Sequence, residues 1–492
     1  MMRKFVRAAG ALALAAAALC YAAPAMAQGV TTAAVRGRVT DKSGVAVVGA
    51  TVVLTNTSTG QAITVHTRSD GRYDLENVPV GGPYSLEIKA IGFEPVRKVG
   101  FTLTLGQALD MPFTMNRAAV TLETIHVTAA QEDSLFSPNH KGAETMVSDT
   151  LLRRLPTLDR QFTDFVALTP QAAQADAGGV SVAGQNNRFN TIQIDGSTVN
   201  DRFGLGSTGL TGGQANGRAI GLDAVREYQI LLAPYDVRKG NFTGALINAV
   251  TKSGTNNFHA TAFYYYRNQS LAGEPLSLSD FYNHQFGASV GGPLVKNKAF
   301  FFIDAEFRKK SQPAFGPYIG QSANAGVPLV AKQSDITAFN NALQSYGLPT
   351  GNGGLVNNPN PLDNLFARVD ISVGSNSRLV LRYLYNQADD NIFSRSSSTN
   401  NPTWNLSNAG YSFKNRTNNP GIQFFTNFAS GASNELLFSL NRIRDARDPN
   451  VLSPLVTVGG FSSATGTGTY SLSSGSEKYS QGNRLNQDIW EL

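Results

Sequence analysis

Cysteine is almost missing from this 492-residue chain. The single one, Cys20, lies in a stretch that reads as a secretory leader. Arg3, Lys4 and Arg7 form its basic start, and Ala8 to Ala23 its apolar run. Ala25-Met26-Ala27 supplies a small-x-small cleavage site after Ala27, which makes Gln28 the first processed residue. A processed chain therefore has no thiol for a disulfide, a thiolate nucleophile or a zinc cluster. Leu19 stands where a lipoprotein acceptor cysteine has a small residue before it. The break at Pro24 and the short run exclude a membrane-spanning helix here. Charge is scarce too: charged residues make up 15% of the chain, against about 25% in ordinary soluble domains. The net charge of +6 falls by the leader's three cations to +3. No Lys/Arg block is present, which argues against nucleic acid as a partner. Five histidines are scattered at 66, 126, 140, 259 and 284, with no pair at metal-ligand spacing. There is no H-E-x-x-H, no G-x-S-x-G elbow and no P-loop. The expectation is no catalytic residue, no metal and no cofactor; Asp389-Asp390 reads as a solvated loop pair.

Glycine (48 residues), phenylalanine (28) and tyrosine (16) are abundant, together with Asn, Ser and Thr. With so little charge, that mixture suits a β protein with two non-aqueous or semi-polar faces. From Val35 to about Met115 short β-favouring runs alternate with turn signals. Val35–Val39, 50–54, 63–65, 73–75 and 84–88 are separated by Asp41-Lys42-Ser43-Gly44, Thr59-Gly60, Asp70-Gly71 and Gly81-Gly82-Pro83. This spacing predicts an antiparallel sandwich.

Between about 131 and 256 the pattern is mixed. Ser148 caps a predicted helix through Leu151, Leu152 and Leu155, stopped by Pro156. Leu158, Phe162, Phe165 and Val166 have helical spacing and predict a second. Residues 180–201 read as strand, polar loop, strand, Asp195-Gly196 turn and strand. Residues 222–227 read as a helical turn before the strand 228–231.

From Phe258 the period is two. Ala299, Phe301, Ile303, Ala305 and Phe307 form one apolar face; Asp304, Glu306 and Arg308 alternate with it. Leu365, Ala367, Val369, Ile371 and Val373 alternate with Arg368, Asp370 and Ser372. Phe286, Ala288 and Val290 alternate with Gln285, Gly287 and Ser289. Strands are predicted at 258–268, 284–292, 299–308, 363–373, 378–388, 420–429, 435–444 and 484–491. Their connections alternate between short (293–298, 374–377, 430–434) and long (269–283, 309–362, 389–419, 445–483). Apolar-out, polar-in segments with all long loops at one end mark a transmembrane β-barrel, with outer-membrane lipid around it. The long loops are rich in Asn, Ser, Gly and Pro and read as solvent-facing. Tyr264, Tyr265 and Tyr266 suit an interfacial aromatic girdle.

Three motifs in order carry a family resemblance. The first is G-x-V-x-D followed by D-G-x-Y and V-P-x-G-x-x-Y within 37–93. It resembles the carboxypeptidase regulatory-like domain, which implies a seven-stranded, transthyretin-like sandwich without peptidase chemistry. The second is Val182-x-Gly184-x-x-x-Arg188 followed by Ile194-Asp195-Gly196-x-x-Val199-Asn200-Asp201. It resembles the plug of TonB-dependent outer-membrane receptors, with Ala183 departing from the usual I-R-G. The third, Gly240 to Gly254, resembles the end of that plug. With the sandwich in front, the arrangement is similar to Oar-like receptors. The resemblance implies a mainly β fold: sandwich, α+β plug, then the first strands, about eight, of an antiparallel barrel. The domains then read as leader 1–27, sandwich 28–117, coupling linker 118–130, plug 131–256 and barrel 257–492.

The resemblance also implies a TonB box in the linker, Glu123-Thr124-Ile125-His126-Val127. An inner-membrane TonB-type energy-coupling complex would grip it by strand addition. His126 stands where an apolar residue is common. The implied role is uptake of an unidentified extracellular ligand; the alternatives are an outer-membrane adhesion or structural protein and a secreted soluble β protein. An eight-stranded closed barrel has no room for a plug of over a hundred residues. Trp490-Glu491-Leu492 also lacks the usual terminal aromatic, so the expectation is the N-terminal portion of a longer receptor.

Overall fold

The computed structural model describes residues 31–117, 144–161, 163–166, 168–174, 179–203, 206, 208–232, 239–240, 242–272, 280–321, 326–428 and 431–492, and the backbone of 125–128. The first strands are β1 (Ala33–Asp41), β2 (Thr51–Asn56), β3 (Ala62–His66), β4 (Arg72–Val78), β5 (Gly81–Lys89), β6 (Val96–Leu103), β7 (Ala108–Asp110) and β8 (Phe113–Met115). They make two sheets. One has the order β4-β1-β7, with β8 also on β1; the other runs β3-β2-β5-β6. Alternate residues Val35, Val39, Val52, Leu54, Leu86 and Ile88 fill the space between the sheets. Both β7 and β8 run parallel to β1, on its residues 34–36 and 39–41. They are one strand interrupted at Pro112, which has no N–H to offer the ladder. Counted so, the segment 33–115 has seven strands, as the resemblance implies. Gly37 is required there, because a Cβ would lie 2.0 Å from the Met111 carbonyl oxygen.

The next strand, β9 (Ile125–Thr128), does not leave this unit. It pairs in parallel with β6, Val96 opposite Ile125 through Val99 opposite Thr128. It thus becomes the last strand of the five-stranded sheet β3-β2-β5-β6-β9.

The mixed segment forms β10 (Glu144–Ser148), β11 (Ala172–Gln174), β12 (Val180–Val182), β13 (Thr191–Ile194), β14 (Ser197–Thr198), β15 (Val225–Leu231) and β16 (Leu246–Thr251). Its main sheet has the order β10-β15-β16-β13-β14. The predicted first helix is present as Asp149–Arg154. Ser148 occupies its N-cap position without a side-chain cap bond. Leu155 is extended, as a residue before proline prefers. The second helix shrinks to Thr163–Val166. Leu158 is 71% exposed, so its helical spacing had no apolar surface to face. The turn expected at 222–227 is a single 3-10 turn, Leu222–Ala224, after which β15 begins.

The remaining strands are β17 (His259–Asn268), β18 (Tyr282–Val295), β19 (Ala299–Pro313), β20 (Asn357–Pro359), β21 (Leu362–Val373), β22 (Ser377–Ile392), β23 (Thr403–Asn405), β24 (Tyr411–Asn427), β25 (Ser433–Pro449), β26 (Val456–Ser462), β27 (Thr469–Ser474) and β28 (Asn483–Glu491). Eight of them form one antiparallel sheet in up-and-down order, β17-β18-β19-β21-β22-β24-β25-β28. These eight match the predicted strands, several running much longer. Among the described residues β17 and β28 have free outer edges, so the sheet is an open, curved wall.

Its faces separate by parity. On β18, β19 and β21 the outer faces carry the apolar sets read from the sequence, with Val290, Ile303 and Leu365 exposed. Asp304, Glu306, Arg308, Asn364, Arg368 and Asp370 point inward and are buried. "Polar in" fails at Phe302, Phe366 and Leu384. These point inward and share one core with Ile192, Ile194, Tyr228 and Ile247 of the plug. The lumen is filled there by a folded sheet, so apolar side chains are buried rather than wetted. The tyrosine run divides for the same reason of period. Tyr264 donates to or accepts from His284 Nδ1 at 2.8 Å on the outer face, whereas Tyr265 and Phe263 lie under the Arg160 guanidinium on the inner face.

The long loops are more than solvated connections. The helix Gln333–Ser345 and the small sheet β23-β27-β26 enclose their own core, with Ile336, Phe339, Leu343, Trp404, Tyr470 and Leu472 buried. Arg395 pins them by stacking on Trp404, 4.5 Å from the ring centre. It also donates to the carbonyls of Asn405, Gly354 and Asn352. The sandwich sits at the opposite, short-turn end. Asn376, in the turn between β21 and β22, bonds both the N–H and the C=O of Thr64 on edge strand β3, at 3.2 and 3.0 Å. Asn77 donates to the Asn434 carbonyl, and Thr31 to Glu435.

Candidate functional site

The plug motif builds turns and anchors. Ile194 is core on β13. Asp195 and Gly196 take positive φ (46° and 78°) and form the turn to β14. Asp195, 2% exposed, accepts from Thr251 N (2.9 Å) and Thr251 Oγ1 (2.7 Å) on β16. Asn200 accepts from Ile192 N and donates to the Asn190 carbonyl. Asp201 caps a loop, accepting from Phe203 N and Gly206 N. Gly184 has φ +75° with open space around it, and Arg188 is exposed beside it. Asp195, Asn200 and Asp201 therefore close one structural knot, whereas Gly184 and Arg188 lie on a separate exposed turn.

Two charged clusters fasten this plug to the wall. In the first, Arg368 on β21 forks onto Asp370 with Nε and Nη2, both at 2.8 Å. Its Nη1 donates to Thr251 Oγ1 at 2.8 Å and lies 3.7 Å from Asp195. Nearby, Arg382 donates to Ser197 Oγ of the plug and to Asn419. In the second, Glu306 on β19 receives Arg160 (3.0 Å) and Arg218 (3.5 Å) from the plug. Arg160 also lies 3.4 Å from Asp223. Asp304 completes a trio of carboxylates with Asp223 and Glu306, their nearest oxygens within 4.8 Å of one another. This trio is the arrangement that would suit a cation, yet two guanidiniums already occupy Asp223 and Glu306. The sequence pattern marks Glu306 and Arg368 as inward-facing. It gives no sign of Arg160 and Arg218, whose shared partner Glu306 lies 146 and 88 residues away.

A third contact joins sandwich to plug. Leu105, two residues beyond β6, is held at both backbone groups. Its N–H donates to Glu227 Oε1 at 2.5 Å, and its carbonyl accepts from Gln229 Nε2 at 3.1 Å. Gln229 Nε2 also reaches Glu144 on β10, at 3.0 Å. Val80, Leu105 and Val250 bury an apolar patch around this clamp. Burial pushes the Glu227 carboxyl up to about 7, against the Leu105 bond and Arg226, which favour the anion. A raised carboxyl favours the folded state below the unfolded value of 4.5, and that advantage is lost as pH rises through about 7. By linkage this amounts to roughly 3 kcal/mol. The unfolding midpoint of the chain is expected to fall from pH 5 to pH 8 more steeply than that of E227Q. Parallel pH profiles would contradict the account.

Of the residues expected to form a coupling box, Glu123 and Thr124 lie outside the described residues, as do Ala27 and Gln28 of the expected cleavage site. Ile125, His126 and Val127 are in β9. Their backbone pairs with β6 on one side; on the other no strand is paired among the described residues.

Two family models match the chain: the carboxypeptidase regulatory-like domain over residues 34–116 and the outer membrane beta barrel domain over residues 250–489. The TonB-dependent transporter Oar of Myxococcus xanthus is 27% identical over 259 residues, covering 49% of this chain and 23% of that protein. This chain carries an outer membrane beta barrel domain and is similar to the TonB-dependent transporter Oar. It spans about a quarter of the length of that relative. Among solved structures, the outer membrane transporter YddB from Escherichia coli aligns at 13% identity. Its TM-score is 0.48, with 70% of this chain and 44% of that one covered. The ferric enterobactin receptor PfeA from Pseudomonas aeruginosa aligns at 12% identity and a TM-score of 0.44, covering 68% and 45%. These relatives are transporters and receptors rather than enzymes. The chain is an outer-membrane protein by its barrel domain, with its sandwich at the short-turn end of the wall.

Proposed function

We propose that this chain is the sandwich, plug and first wall of an outer-membrane uptake receptor, energised from the inner membrane by a TonB-type complex. The observation that supports this most is a folded plug sheet sharing a core and two charge clusters with the inner face of a membrane wall. A barrier held by discrete charges can be shifted without covalent chemistry. The long-loop end, with its own folded module, faces outward and meets the ligand. The short-turn end, with the sandwich, faces the periplasm. The coupling partner engages Glu123, Thr124, Ile125, His126 and Val127 by strand addition. Its own edge would meet the outer side of β9.

The test is binding of the purified periplasmic domain of the host's coupling protein to the detergent-solubilised chain. Deletion of 123–127 is expected to weaken it at least about tenfold, or 1.4 kcal/mol. Equal binding by the deleted chain would sink the coupling reading.

A further inference from the structure

The box strand and the plug are joined by two routes. One is covalent, through residues 129–143 to β10. Its fifteen residues can span up to about 50 Å. The other route is short and non-covalent. β9 lies on β6, and β6 ends at Leu103, two residues before Leu105. Leu105 is clamped by Glu227 and Gln229 of β15, and β15 pairs along its length with β16, in the centre of the plug sheet. Both routes meet at Gln229, which bonds the Leu105 carbonyl and Glu144 together.

We propose that the sandwich is the coupling element of this receptor: a partner strand adds to the free edge of β9, and its pull reaches the plug through β6 and the Leu105 clamp. This rests on the coupling reading above. The sandwich edge holds β9 extended and ready for an incoming strand, which lowers the ordering cost of docking. A parallel ladder loaded along its length strains its hydrogen bonds together rather than one at a time. The clamp is set in apolar surroundings, where its two hydrogen bonds are strong. Glu227 and Gln229 are thus positioning residues, transmitting displacement from Leu105 to β15. Other contacts of the sandwich, among them Asn376 on Thr64, Asn77 on Asn434, Thr31 on Glu435 and Asn256 on Ser58, fix it beside the wall. They would have to part before the sandwich moves.

The test uses one reporter cysteine in the full chain in its native outer membrane, since the processed sequence has none. Thr169 suits: it is 1% exposed in the plug, and its hydroxyl has no hydrogen-bond partner among the described residues. Maleimide labelling of T169C is expected to be at least about tenfold faster in energised cells than with a protonophore. The E227A/Q229A variant is expected to label at the protonophore rate while still binding the coupling domain. E227Q, whose amide oxygen still accepts from Leu105 N–H, is expected to restore the energised rate and shows that the plug tolerates change at 227. If E227A/Q229A labels like the parent while deletion of 123–127 does not, the clamp route is overturned and the coupling reading stands. If the deletion itself labels like the parent, the coupling reading fails and takes this proposal with it.

Discussion

Replacing Glu306 by Ala is expected to unseat the plug from the wall. Arg160 and Arg218 are 8% and 4% exposed, and both point at this carboxylate. Without it, two guanidiniums remain in a filled lumen. Arg160 keeps the Asp223 contact, and Arg218 keeps its bond to Gln285. Stranding a buried charge costs about 3–5 kcal/mol. The readout is limited trypsin digestion of the chain in outer-membrane vesicles, with the plug fragments followed by mass. E306A is expected to be cut within the plug at least tenfold faster than the parent. E306Q is expected to fall between, because its amide still accepts a hydrogen bond without balancing charge. D304N should behave differently. Both Asp304 oxygens are buried without a hydrogen-bond partner among the described residues, so removing its charge is expected to cost nothing or to stabilise. Equal cleavage of E306A and the parent would mean that the cluster does not hold the plug.

Arg368→Lys is the second large effect. A lysine keeps the charge but has no planar fork. It cannot place two donors on Asp370 at 2.8 Å while a third reaches Thr251 Oγ1. The expected loss is about 2 kcal/mol for R368K and about 3–5 kcal/mol for R368A, read as a lower thermal unfolding midpoint in detergent. Exposed Arg416, which donates to Gln387 at 3.3 Å, provides the comparison: R416K should lie within about 0.5 kcal/mol of the parent. If R368K and R416K are alike, Arg368 is a bystander.

The wall was legible in the sequence because a period of two is a local signal. The outer faces of β18, β19 and β21 are the apolar faces read there, residue for residue. The sandwich was legible for the same reason, with turn residues such as Asp41 and Asp70 at the strand ends. What stayed hidden was non-local. Ile336, Phe339 and Leu343 have helical spacing, but their core is completed by Trp404, Tyr470 and Leu472 from other loops, so each loop alone looks merely polar. Phe302, Phe366 and Leu384 break the alternation because a plug covers them. The plug motif could be read as an Asp-Gly turn. Its role as an anchor needed Thr251 and Arg368, 56 and 173 residues away. For the coupling stretch the resemblance implies only strand addition by a partner. Its ladder with β6 follows from an exposed edge that the sandwich pattern alone did not reveal.

The most direct test of this account is amide hydrogen exchange of the chain in outer-membrane vesicles, comparing the plug strands β13 and β16 with the wall strands β19 and β21. Exchange in the same slow class for all four is the predicted result, since they share one core and two charge clusters. Plug strands that exchange as fast as an unfolded peptide, while the wall stays protected, would contradict it.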